Sequence, residues 1–142
     1  MMTTIQKIQK YLDDNKIVYY KRELSNSRVL FQLPYSLTLC NYKLTLTLRA
    51  DDENMNKFEL GFTALKKPDK DIDSELLTLN SKIVNGFFSN IEGTNEISYF
   101  AEFEIKEDRL TDNDYKKAIN FCFAVFLDLI ERGIINKEAY RI

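Results

Sequence analysis

"LLTLNSKIVNGFFSNIEGTNEISYFAEFEI", residues 76–105, changes its hydrophobic period part-way along. Leu76, Leu77, Leu79, Ile83 and Val84 fall at helical spacing. That run stops at Asn85-Gly86, where glycine tolerates left-handed backbone. "FFSNIE" then reads as a short strand and "GTNE" as a turn. "ISYFAEFEI" alternates. Ile97, Tyr99, Ala101, Phe103 and Ile105 share one face, and Ser98, Glu102 and Glu104 the other. Phe100 is an apolar exception on that wet side. A helix that feeds an antiparallel hairpin points to a segregated α+β fold. Upstream, "KKPDKDIDS" is a charged linker in which Asp73 or Ser74 can cap the helix.

The chain before this linker reads mainly as strands. "YKLTLTLRA" puts Tyr42, Leu44, Leu46 and Leu48 on one face and Lys43, Thr45, Thr47 and Arg49 on the other. "KFELGF" repeats the pattern with Phe58, Leu60 and Phe62 inward. Only the polar "ADDENMN" joins them, too short for a parallel crossover, so they form a hairpin. Residues 17–34 hold one strand or two: "IVYYKREL" and "RVLFQL" flank the polar "SNS". Pro34 either ends the second or places it at an edge. Residues 3–16 form a helix capped by Thr3 or Thr4, with Ile5, Ile8 and Leu12 on one stripe, Tyr11 beside it, and Lys7, Lys10 and Asp14 outward.

The last helix starts at Thr111, where "TDND" is a capping-box variant with Asp114 in the usual Glu/Gln position. It runs to about Arg132 and stops at Gly133. Tyr115, Ala118, Ile119, Cys122, Val125, Phe126, Leu129 and Ile130 make its stripe. Phe121, Phe123 and Leu127 widen that stripe beyond one face, so the helix is either deeply buried or shared with a partner. "IINKEAYRI" reads as a tail with no assigned element. The expected fold is a single α+β domain over residues 1–142, an α-β-β-β-α-β-β-α sandwich with an antiparallel sheet and helices on one face.

This order resembles the YbjN domain family, which is similar in fold to class I type III secretion chaperones. "ELLTLNSKIVNGFFSNIEGTNEISYFAEFEI" matches the family's helix and hairpin, and "RLTDNDYKKAINFCFAVFLDLI" its long closing helix. "YKLTLTLRA" with "KFELGFTAL" matches the hairpin between the first two helices. The resemblance implies a non-enzymatic domain. Secretion chaperones of this fold dimerise and hold extended client segments, and YbjN-like proteins are linked to regulation. The family has no motif that assigns a role to an individual residue.

The residues themselves offer little chemistry. The chain has no histidine, which excludes Ser-His-Asp and Cys-His machinery and imidazole-ligated zinc. Cys40 and Cys122 lack CxxC spacing and read as reduced thiols, Cys122 packed among apolar helix residues. Neither GxGxxG nor GxxxxGK[ST] occurs. "DDE" at 51–53 lacks the ligand spacing and glycine of a calcium loop and reads as a solvated turn. Glu102 and Glu104 read as a wet sheet face rather than a catalytic pair. No metal or other cofactor is expected.

Partners are bounded by charge. The net charge of -2 disfavours general nucleic-acid binding, and Tyr19, Tyr20, Lys21 and Arg22 are not followed by an RNA-binding pattern. Residues 1–70 carry 12 Lys/Arg against 8 Asp/Glu, and residues 71–142 carry 8 against 14, a polarity that reads as two differently solvated faces. No signal-peptide pattern opens the chain, and "INFCFAVFLDLI" is too short for a bilayer and is broken by Asp128. A cytoplasmic protein with no membrane contact is expected. The preferred function is a homodimeric protein-binding module, chaperone-like or a regulatory adaptor, with a protein client. Phe100, Phe121, Phe123 and Leu127 are its candidate partner contacts. The other reading is a small-ligand-binding regulatory sensor with a pocket between sheet and helices.

Overall fold

The computed structural model describes residues 2–67, 72–82, 85–91, 93–106 and 108–142. Helix α1 (Thr4–Asp14) opens on a full capping box: Thr3 Oγ1 accepts the Gln6 N–H while the Gln6 side chain accepts the Thr3 N–H. Ile5, Ile8, Tyr11 and Leu12 are its buried face. The chain then makes β1 (Tyr20–Glu23), β2 (Arg28–Leu37), β3 (Tyr42–Asp51) and β4 (Lys57–Leu65). Helix α2 (Asp73–Lys82), β5 (Phe87–Ile91), β6 (Glu96–Glu104) and α3 (Asp112–Glu131) follow, and a 3-10 turn (Lys137–Tyr140) comes last.

Six strands form one antiparallel sheet in the order β1-β2-β3-β4-β6-β5. The α+β reading holds, with one strand more than the α-β-β-β-α-β-β-α order. Residues 17–34 hold two strands, because "SNS" does turn the chain. Pro34 lies inside β2, opposite Thr45 of β3. β1 stops short of it, pairing only with Val29–Gln32, so its missing N–H costs no sheet bond on the open side.

The inward rows are those the alternation predicts. Leu44, Leu46, Leu48, Phe58, Leu60, Phe62, Ile97, Tyr99 and Ala101 join one core with residues of all three helices. α2 contributes little to it. Ile72 and Leu76 are buried, but Leu77, expected on its apolar stripe, is 73% exposed. Ile83 and Val84, assigned to the same stripe, lie outside the described residues. α3 follows its predicted bounds, from a Thr111 cap whose Oγ1 accepts the Asp114 N–H (3.2 Å) to Gly133 at φ 73°.

The sheet is split. β3 pairs with β4 only from Thr47↔Gly61 to Ala50↔Phe58, and beyond Gly61 β4 continues with β6 alone. Residues 134–142, a tail with no element assigned from the sequence, are sewn across the opening. The Lys67 N–H donates to Ile134 O (2.9 Å) and the Asn136 N–H to Leu65 O (2.9 Å). The Tyr140 hydroxyl accepts the Leu65 N–H (2.8 Å), and the Ile142 N–H reaches Asn41 O (2.9 Å). Without this segment those strand groups would be unpaired next to the core.

Buried acids make the fold sensitive to base. Cys122 is fully buried, and burial pushes its thiol up to about 12 from 9.0. Tyr11, Tyr99 and Tyr115 are also raised above the ordinary phenol value, in each case first by desolvation. The unfolded chain therefore releases these protons at lower pH than the folded one. Stability is complete below about pH 9 and falls above it, by about 1.4 kcal/mol per pH unit per group. Urea midpoints between pH 8 and 11 should show this decline, and Cys122→Ala should move its onset up towards pH 10, where the tyrosines take over. An unchanged onset in that variant would remove Cys122 from the account.

Candidate functional site

The four sequence candidates do not form one patch. Phe100 does project from the outer sheet face, but it is only 7% exposed. Its neighbour across β4 is Gly61, whose missing side chain leaves room for the ring, and the Arg49 guanidinium lies 3.5 Å above the ring centre. Phe123 is buried as well and meets Tyr35 edge-on (5.4 Å). Leu127, one turn further on and half-buried, packs on the core. Phe121 occupies the opposite flank of α3. It is half-buried, with its ring set against Phe103 (6.1 Å) and Tyr99 (6.5 Å).

Phe121 lines an open groove of about 290 Å³ between α2 and α3. Leu79, Phe88, Ala124 and Val125 complete the apolar lining, and Lys82, Asp128 and Arg132 the charged one. An Arg132–Asp128 ion pair (2.8 Å) closes one end. The floor is rigid because β5 is clamped from α2. Asn80 accepts the Phe88 N–H (2.6 Å) and donates to Phe88 O (3.0 Å), doing for this edge strand what a further strand would do. Asn85 clamps β6 in the same way at Glu102 (2.9 and 3.3 Å). Sequence reading missed Leu79, Phe88 and Val125 as groove residues. Nothing local marks them, since each sits at an ordinary core position of its own element.

A second concavity, of about 590 Å³, lies between α1 and the start of α3. Lys7, Lys10 and Arg109 line it together with Asp14 and Asp112. Tyr11 crosses it, donating to Asp112 Oδ1 (2.8 Å) while its ring packs on Tyr115 (4.8 Å). Two of the "DDE" carboxylates have structural work: Asp51 pairs with Arg28 (3.1 Å), and Asp52 accepts the Ile5 N–H (3.0 Å) at the start of α1. Among the described residues no group of three or more Cys, Asp or Glu is arranged to hold a metal ion. No helix among them is long and apolar enough to cross a membrane.

No protein-family model and no curated protein matches the sequence. Among solved structures, the chain is similar to the crystal structure of YbjN from E. coli, a candidate transcription regulator. The two superpose with a TM-score of 0.59 at 11% identity, over 92% of this chain and 94% of that one. The fold is YbjN-like. At this identity the likeness is one of architecture.

Proposed function

We propose that this chain is a non-enzymatic, cytoplasmic protein-binding module, a regulatory adaptor that uses apolar surface as a chaperone does and acts as a homodimer. The observation that carries this reading is the α2–α3 groove. Phe121 is a large ring held in place by two other rings, yet still open to solvent. An apolar floor with a charged margin has the composition of a protein interface, and a pre-set aromatic loses little freedom on binding. The occupant is a segment of another protein that offers one or two large apolar side chains. The YbjN-like fold supports a regulatory setting.

Ala124 is exposed on the groove wall, so Ala124→Arg fills the groove without touching the core. Affinity capture from the native host with both baits should recover a partner that the variant loses, at an unchanged melting temperature. Equal recovery by the two baits would overturn the groove as the site. Light scattering should give twice the 16.7 kDa chain mass.

A second reading, a regulatory sensor for a small anionic ligand, is favoured by the α1–α3 cleft and its Arg109; Lys7 and Lys10 also line it and would exchange their bonds to Asn56 (2.7 Å) and Asp14 (3.0 Å) for the ligand. A ligand held there would raise the melting temperature by mass action, and Arg109→Ala would abolish the rise. A panel of phosphorylated and carboxylate metabolites that produces no shift argues against it.

A further inference from the structure

We propose that two copies of this chain join edge to edge through β1, continuing the sheet from one copy into the other. The proposal rests on the homodimer reading above and names its interface. Among the described residues β1 ends the sheet and pairs on one side only, and all four of its residues are exposed. The Leu24 N–H donates to Arg28 O (2.9 Å). In an antiparallel ladder the bonded pairs recur every second residue, so Arg22↔Leu30 and Tyr20↔Gln32 are bonded pairs too. The backbone N–H and C=O groups of Lys21 and Glu23 must then point away from β2, into the open edge. Any strand added there has to bond to those two residues.

Two-fold symmetry leaves three registers for a second copy. Lys21 can meet Lys21, Glu23 can meet Glu23, or Lys21 of one copy can meet Glu23 of the other. Only the third places opposite charges in both bonded pairs, exchanging the Lys21–Glu23 ion pair within each chain (3.7 Å) for two between chains. Short, charged edge strands usually repel additions, and here the same charges reject every two-fold register but one. That register also sets Tyr20 of each copy, 65% exposed, across from Leu24 of the other, 51% exposed. Both project from the outer face, opposite Gln32 and Arg28 of β2. One contact works against the pairing: Arg22 falls on the two-fold axis and faces Arg22 of the other copy. β1 and β5 are opposite ends of the sheet, so the α2–α3 grooves stay open at the two far ends of the dimer.

Sedimentation over a dilution series tests the register. The unaltered chain dimerises. Lys21→Glu alone and Glu23→Lys alone each weaken the dimer at least about tenfold, because each brings like charges together twice. Mixing these two variants in equal amounts restores dimers, now between unlike chains, and this rescue shows that neither variant is merely misfolded. Arg22→Thr tightens the dimer, which no interface away from β1 would show. A dimer indifferent to all these changes overturns the β1 interface and leaves the homodimer reading standing. A strict monomer for both the unaltered chain and Arg22→Thr overturns both.

Discussion

Gly61→Ala should destabilise the protein by about 3 kcal/mol or more, far outside the range of an ordinary glycine substitution. Alanine usually helps in such a swap, since it restricts the unfolded chain. Here the sign reverses. A Cβ built on Gly61 would lie 1.8 Å from Tyr99 O and 2.8 Å from Phe100 Cα. Both are backbone atoms of β6 and cannot rotate aside. Relief requires β4 and β6 to part at the point where β4 has just left β3. The Phe100 ring would lose its seat as well, with Cδ1 only 2.7 Å from the added carbon. Urea titration measures this directly; a loss below about 1 kcal/mol would mean that the strands shift apart freely.

Phe126→Ala should cost about 3–5 kcal/mol, the range for truncating a buried aromatic. The ring is fully buried and packs edge-on against Phe62 (5.6 Å), Tyr140 (5.4 Å) and Tyr42 (6.2 Å). Those partners come from β4, the C-terminal turn and β3, so a single side chain ties α3 to both lips of the split and to the segment between them. Loss of the ring should loosen that segment before the fold as a whole. Hydrogen exchange at the Leu65, Lys67 and Asn136 amides should speed up more than exchange in the centre of β6. Uniform acceleration would show that the segment is not separately held.

The parts legible in the sequence are those governed by local period. Leu44, Leu46 and Leu48, then Phe58, Leu60 and Phe62, declare their face because a strand alternates side chains whatever lies beyond it. Thr3 and Thr111 declare helix starts because a cap satisfies donors only two or three residues away. The split at Gly61 was not legible, since it depends on where β3 and β4 part company. The seating of residues 134–142 follows from that split and was hidden with it. The strand alternation predicts Phe100 as an outward aromatic. It does face outward, but Gly61 and Arg49 come from other strands, and together they bury it. Of the site candidates, the excess of apolar residues on α3 was visible. How it divides into a buried flank at Phe123 and an open flank at Phe121 depends on where α2 lies.

Asn85 stands directly before Gly86. In a loose chain such a pair ages chemically: the glycine nitrogen attacks the side-chain amide, ammonia leaves, and water opens the resulting succinimide to an aspartate or its isomer. Here the amide is held at both ends by the Glu102 backbone, and the Tyr99 hydroxyl donates to Asn85 O (2.8 Å). Gly86 has little freedom to approach, since a carbon added to it would already lie 2.4 Å from Phe100 O. The clamp that completes the β6 ladder thus also sets the molecule's shelf life. While folded it keeps its amide; chains left unfolded turn the donor into a carboxylate and return to a sheet that can no longer be finished.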